Sequence, residues 1–292
     1  MEYILHLIIF ICFYTILAQS LNLAAGKAGL ISLAHAGFYG IGAYTTAILS
    51  VKLGLSFWIN LPFAMIISGL IAFVVSLIAL RTIDDYFIIC TLGIQIIIFS
   101  IMNNWMDLTR GPLGIPGIPS INLFGFPVDE KIPFLVLSIV IVALIWLVLK
   151  NIYNSGFGKI LVAISEDEIY IQSVGKNVYK AKIISFTISA ILASIPGVLY
   201  AHYITYIDPT SFTVNESIFI LSIVIIGGLG NLSGSFFAAA FMVLLPEALR
   251  FVGMPDSIAA NMRQIIYGLI LVAVMMTGKN GVKELFLKKH SF

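Results

Sequence analysis

Lys131-Ile132-Pro133-Phe134-Leu135-Val136-Leu137-Ser138-Ile139-Val140-Ile141-Val142-Ala143-Leu144-Ile145-Trp146-Leu147-Val148-Leu149-Lys150 is the stretch that decides the fold. No residue between its two lysines is charged, and the apolar residues follow one another without a period of two. Backbone N–H and C=O groups in hydrocarbon must pair within the protein, so a spanning segment is a helix or a strand of a closed barrel. Barrel strands alternate apolar and polar residues. This run does not, and about 20 apolar residues are enough for a helix to cross a bilayer. Eight further stretches read the same way, at 3–22, 28–50, 57–80, 86–105, 182–206, 216–230, 233–250 and 264–278. With 132–150 they predict an all-α, polytopic transmembrane bundle of about nine spans, a single domain covering 1–292.

Composition agrees. The chain is 60% hydrophobic and 10% charged, where a soluble domain carries about 25% charged residues. The bilayer has to be its solvent. A net charge of +2 with no basic patch between aromatics gives no reason to expect nucleic acid. Cys12 and Cys90 lie in apolar runs and read as small buried hydrophobes. No disulfide framework, metal-ligand spacing, nucleophile–base pair or cofactor motif is expected. Met1 to Leu7 carries no cationic leader region, so it reads as the start of a retained first span.

The spans differ in character. Stretches 57–80 and 132–150 are more uniformly Leu, Ile, Val and Phe and should face lipid. The 28–50 stretch instead carries Gly29, Ala36, Gly37, Gly40 and Gly42, and small residues let helices approach closely. It should be central. Ser32 and His35, three residues apart, would share a helix face there, and Ala36 and Gly40 would leave room beside them. Intramembrane polar groups usually face the bundle interior or a pathway. Asn22, Ser32, His35, Ala36, Gly40 and Gln95 are therefore the pathway candidates, with helix–helix packing as the competing account. His202, Glu216 and Glu247 should lie near span ends, where water solvates them.

Sidedness follows the Lys bias of short loops. The 151–182 loop, flanked by Lys150, carries Lys159, Lys176, Lys180 and Lys182, and the C-terminal tail carries Lys279, Lys283, Lys288 and Lys289. Both should be cytoplasmic, which puts the N-terminus, 106–131 and 207–215 outside. Gly227-Gly228-Leu229-Gly230-Asn231-Leu232-Ser233-Gly234 reads either as a loop or as a mid-membrane helix break, so eight or ten spans are the alternatives to nine. A faint internal two-fold repeat relates Gly29-Leu30…Leu33…Ala36…Phe38 to Gly228-Leu229…Leu232…Ser235…Phe237 at constant offset, although such common residues also match by chance.

The cytoplasmic segment 151–181 contains Ser165-Glu166-Asp167-Glu168-Ile169. Ser165 and Glu168 have the spacing of a capping box, the acids favour a helix N-terminus, and Gly175 is a natural stop. A short helix at about 166–174 should follow, with Ile169, Ile171 and Val174 needing a surface to cover.

Leu21 to Tyr44, the loop Gly156-Phe157-Gly158-Lys159 with Ala163 to Glu168, and three later blocks resemble the permeases of branched-chain amino-acid ABC transporters. Those blocks are Leu199-Tyr200-Ala201-His202-Tyr203, Pro209-Thr210-Ser211-Phe212 and Gly227 to Gly234. The resemblance is to the LivH/LivM type, closer to LivM, and runs from about 20 to 250. It departs at Val162, Ser165 and Arg110, where the family usually has a basic residue, often Arg, and commonly Gly. It implies a multi-pass permease subunit of the cell membrane. Its partners would be a second, LivH-type permease subunit, two ATP-binding cassette ATPases and an extracytoplasmic substrate-binding protein that delivers an amino-acid substrate. Urea or short-amide permeases and ion-coupled secondary transporters are the alternatives. The chain has no GxxxxGK[ST] phosphate loop, which fits separate ATPase subunits and a chain that is not itself an enzyme. Under this resemblance Ser165, Glu166, Asp167, Glu168 and Ile169 belong to the helix that couples to an ATPase.

Overall fold

The computed structural model describes residues 2–82, 85–123, 126–127 and 130–250, together with 265, 268, 269 and 272, which are helical. The remainder of the expected 264–278 span, and the C-terminal lysines, lie outside the described residues. The described chain is an all-α membrane bundle. Five helices are long and apolar enough to cross a bilayer: Glu2–Lys27, Phe57–Ala79, Tyr86–Asn104, Lys131–Asn154 and Val178–Ile204. They belong to α1 (Glu2–Asn22, continued by a π turn Leu23–Lys27), α3 (Phe57–Ala79), α4 (Asp85–Asn104), α6 (Lys131–Asn154) and α9 (Val178–Ile204). Between them lie α2 (His35–Leu53), the short α5 (Met106–Thr109), α7 (Gly156–Glu166) and α8 (Glu168–Ser173). The described helices end with α10 (Val214–Gly227) and α11 (Leu232–Arg250).

Burial sorts these helices as their composition predicts. Only 22% of the α6 window and 28% of the α3 window is buried, against 72% for α9. Ile132, Val136, Ile139, Val140 and Leu144 of α6 all face outward. By contrast α2 is buried at every position from His35 to Ala47. It packs on α9, α3, α10 and α4. Its glycines explain the fit: a Cβ on Gly42 would collide with the Ser194 carbonyl of α9, and one on Gly197 with the Tyr39 carbonyl of α2. Backbone meets backbone there, which dispersion and tight packing favour where no hydrophobic force drives helix association.

The two ends of the bundle are fixed by contacts. At one end an ion pair joins Glu2 to Lys131 at 3.0 Å, so α1 and α6 start together. Ile115–Pro116 pairs antiparallel with Tyr206–Ile207 at that same end, tying the 106–131 loop to the segment after α9. At the other end Lys27 sits over the Tyr153 ring at 4.7 Å, and α7 packs against the π turn of α1. Ile115–Pro116 and Tyr206–Ile207 thus share an end with the N-terminus, opposite 151–181, and the chain runs inward from there to Phe212. Arg110 adopts φ 62°. That left-handed conformation favours glycine, the residue the resemblance leads one to expect there.

One expected span, 28–50, is shorter than the sequence suggests, and another, 216–230, is as short as its apolar run. The 28–50 stretch is helical only from His35, and residues 29–34 are irregular. Ser32 and His35 are therefore not neighbours on one helix face. Helix α10 has 14 residues, a rise of about 21 Å, short of the roughly 30 Å hydrocarbon core. It starts within the bundle: Phe212, just before it, contacts the rings of Tyr39 and Tyr200 at 5.0 and 5.9 Å. The Gly227–Gly234 stretch breaks the chain between α10 and α11. Gly29 (φ 71°) and Gly228 (φ 89°) both have positive φ where a helix ends, but ψ at Gly228 is 130°, outside the left-handed helical turn.

Candidate functional site

Irregular backbone at membrane depth survives only where protein satisfies its polar groups. The first N–H groups of α2 meet side chains from distant helices. Ala36 N–H donates to Ser217 Oγ of α10 at 3.0 Å, and Gly37 N–H donates to Gln95 Oε1 of α4 at 2.6 Å. The Gln95 amide then donates to the Phe212 carbonyl at 2.8 Å, holding the entry to α10. In the 29–34 segment, Leu33 N–H donates to Thr91 Oγ1 at 3.1 Å and Ala34 N–H to Ser32 Oγ at 3.2 Å. His35 Nε2 lies 2.7 Å from Ser20 Oγ, whose own proton goes to the Leu17 carbonyl, so the imidazole donates through Nε2.

Asn22 does the same for the second break. Its amide nitrogen lies 3.2 Å from the Gly228 and Asn231 carbonyls and 2.8 Å from Ser235 Oγ. Its carbonyl oxygen accepts from Gly230 N–H at 2.6 Å. Asn22, Ser32, Ala36 and Gln95 are fully buried and His35 is 2% exposed. Gly40 is buried against Met102 and Phe212. The six sequence candidates thus gather around the two helix breaks, where the Asn22, Ser32 and Gln95 side chains bond backbone and His35 bonds the Ser20 hydroxyl.

A cavity of about 720 Å³ lies elsewhere, between α1, α10 and α11. Tyr3, His6, Phe10 and Tyr14 line it from α1, and Asn215, Glu216, Ile218 and Phe219 from α10, with Glu247 from α11. None of the six sequence candidates lines it. Tyr14 is midway between Glu2 and Lys27, and its ring meets that of Phe219, one turn after Glu216 on α10, at 5.0 Å. Glu216 is therefore at mid-depth, not at a span end. Sequence reasoning missed this because it placed Glu216 at the end of a 216–230 span, near an interface; α10 begins inside. His202 also departs from expectation. It is 4% exposed, and its Nδ1–H donates to the Pro119 carbonyl at 2.7 Å.

The 151–181 segment folds as two helices, not one at 166–174. Ser165 lies inside α7, and its hydroxyl bonds back to the Val162 carbonyl at 2.7 Å, so the expected capping box does not form. Asp167 caps α8 instead, accepting from Tyr170 N–H at 2.9 Å; an aspartate caps as well as a serine. Ser155 is the cap of α7. Glu168 pairs with Lys182 of α9, and Glu166 closes α7. Helix α8 buries none of its own residues. Ile169, Tyr170 and Val174 are 80%, 64% and 58% exposed.

Residues 3–275 match the family model described as branched-chain amino acid transport system / permease component. The LivM permease protein of the high-affinity branched-chain amino acid transport system of Salmonella typhimurium is 35% identical over 260 residues, covering 81% of this chain and 61% of that protein. Its Escherichia coli counterpart is 34% identical with the same coverage. The probable branched-chain amino acid transport permease protein LivH of Methanocaldococcus jannaschii is 24% identical over 94% of this chain and 89% of its own length. The chain thus spans less than two thirds of the two LivM proteins. A solved structure, PsaBC from Streptococcus pneumoniae in complex with Fab, aligns with 98% of this chain and 94% of that one at a TM-score of 0.46 and 18% identity, too distant to carry an argument. A multi-pass apolar bundle whose sequence matches one family along nearly its whole length has an assignable place: the chain belongs to the branched-chain amino acid transport permease family.

Proposed function

We propose that this chain is a membrane-spanning subunit of an ATP-driven ABC importer that passes branched-chain amino acids delivered by an extracytoplasmic binding protein. Its partners in this reading are a second permease subunit and two ATPase subunits. The names of the LivM relatives support the substrate class. The observation that carries the ATP-driven reading is α8. Ile171 packs partly against the core, but α8 buries no residue fully, and Ile169 and Tyr170, with Val174 just after the helix, are turned outward. A soluble partner on that end gives them a surface to cover. The Glu168–Lys182 pair links α8 to α9, so a push on α8 reaches the helix that packs on α2. In this reading the α8 end and the C-terminus are cytoplasmic, and the six buried candidates, Asn22, Ser32, His35, Ala36, Gly40 and Gln95, hold the wall of the pathway in shape. The cavity between α1, α10 and α11 is the face of that pathway contributed by this subunit.

The test is Ile169→Asp in the assembled transporter in sealed vesicles. ATP should still be hydrolysed while leucine uptake is lost, without any change in assembly. Uptake driven by an ion gradient with no ATP would overturn the ABC reading, and unchanged coupling in the variant would move the ATPase contact elsewhere.

A further inference from the structure

The cavity between α1, α10 and α11 has a charge character that the family assignment does not explain. Two carboxyl side chains, Glu216 and Glu247, line it, and among its described lining residues there is no Lys or Arg. Four aromatic rings, those of Tyr3, Phe10, Tyr14 and Phe219, line it as well. Tyr14 and Phe219 meet edge to face at 5.0 Å and form one continuous wall below Glu216. Carboxylates attract cations, and aromatic faces do so through the ring quadrupole. An ionisable group at mid-depth in a membrane bundle is expensive and marks a pathway or ligand site.

Alternatives for Glu216 are weaker. As a first-turn acid it complements the α10 dipole, but any acid at a solvated helix end does that. Here the start of the helix is held within the bundle by the Gln95–Phe212 bond, and the side chain lines the cavity beside Tyr14. A cavity of about 720 Å³ is in the range of small-molecule sites. It holds an amino acid with space around it, which suits passage better than tight retention.

We propose that Glu216 is the pathway's binding group for the ammonium of the passing solute. The inference rests on the cavity being the pathway wall. Glu247, further along the same cavity, adds to a negative potential that draws the ammonium inward, while Phe10 and Phe219 meet the apolar part of the solute. A cleft lined by one sign of charge raises the local concentration of its counter-ion by about tenfold or more.

The experiment uses the complete transporter, purified through this chain with its native partners and lacking Cys12 and Cys90. Ile218, which lines the cavity and is 44% exposed, is replaced as a reporter by Ile218→Cys. During ATP turnover the reporter is treated with a trimethylammonium and a sulfonate methanethiosulfonate reagent of equal size. The cationic reagent should react about tenfold faster, and Glu216→Gln should erase most of that preference. Leucine should protect the reporter, while its 2-hydroxy analogue, which lacks the ammonium, should protect less, and the difference should vanish in Glu216→Gln. Equal rates with both reagents, or equal protection by both solutes, would overturn the ammonium site while leaving the cavity as the pathway. A reporter that neither reagent reaches during turnover would remove the pathway reading as well. Glu216→Asp, which keeps the charge, should restore the cationic preference; failure to do so in an assembled, hydrolysing complex would assign Glu216 a packing role.

Discussion

Two groups of intramembrane polar residues occupy this bundle, and they do opposite things. Around the helix breaks, Asn22, Gln95, Ser217 and Ser32 spend their hydrogen bonds on backbone and are shut away from every cavity edge that α10 and α11 offer. In the cavity, Glu216, Asn215 and Glu247 point into open volume. The first group makes the second possible. Without side chains to pair the free N–H and C=O groups, α10 could not start at mid-depth, and Glu216 would be at the surface. An intramembrane polar residue is thus informative only once it is known what it bonds to.

Replacing Asn22 tests that division most severely. Asn22→Ala strips partners from Gly230 N–H and from the Gly228 and Asn231 carbonyls. The two carbonyls keep donors, Asn231 N–H and Ser235 N–H, so Gly230 N–H is the group left without its partner; a buried group left unpaired costs about 1–3 kcal/mol, and the loss should fall in that range. Thermal unfolding of the complex in detergent should show it as a large drop in midpoint and yield. A variant of normal stability that no longer transports would move Asn22 into the pathway group.

Ala36→Leu comes next. Ala36 is fully buried, and its N–H is held by Ser217. Overpacking of that kind costs about 1–3 kcal/mol, and it should separate α2 from α10 and lower the yield of assembled complex. If the complex assembles normally and only transport fails, the site has spare volume, and the boundary between the two groups has been drawn in the wrong place.

Lys182→Gln should hardly change stability, since a partly exposed ion pair is worth about 0–1 kcal/mol. Its effect should appear in coupling: more ATP hydrolysed per leucine moved. The charge-swapped double variant Glu168→Lys with Lys182→Glu should restore the ratio. No change in either variant would show that α7, and not the ion pair, carries motion from α8.

Smallest in energy is a topological test. Leu113 is 65% exposed at the end that carries Glu2, whereas Ile115, two residues on, is 4% exposed. Leu113→Cys should react with an impermeant thiol reagent in intact cells, and Tyr170→Cys should react only after lysis. The reverse pattern would invert the bundle and with it the side on which α8 meets a partner.

Much was legible in the chain before folding. Apolar runs without period two set helices in a bilayer, and glycine density marked α2 as central, because both depend on local composition. The capping error in 151–181 was also local: Ser165 and Asp167 are both good caps, and the choice fell to Asp167 once α7 had extended to Glu166 from its own cap at Ser155.

Sequence by itself determined that this is a polytopic helical membrane protein, that α3 and α6 are exposed at the outside of the bundle while α2 is central, and the family to which it is similar. The tertiary structure alone decided that α2 and α10 begin inside the bundle, that Asn22 and Gln95 serve backbone, and that Glu216 faces a cavity at mid-depth. The reason is physical. Solvent preference is a property of a segment, summed residue by residue. The partner of a buried polar group is a property of pairs that here lie 58 to 213 residues apart, such as Gly37 with Gln95 and Asn22 with Ser235, and only packing brings them together.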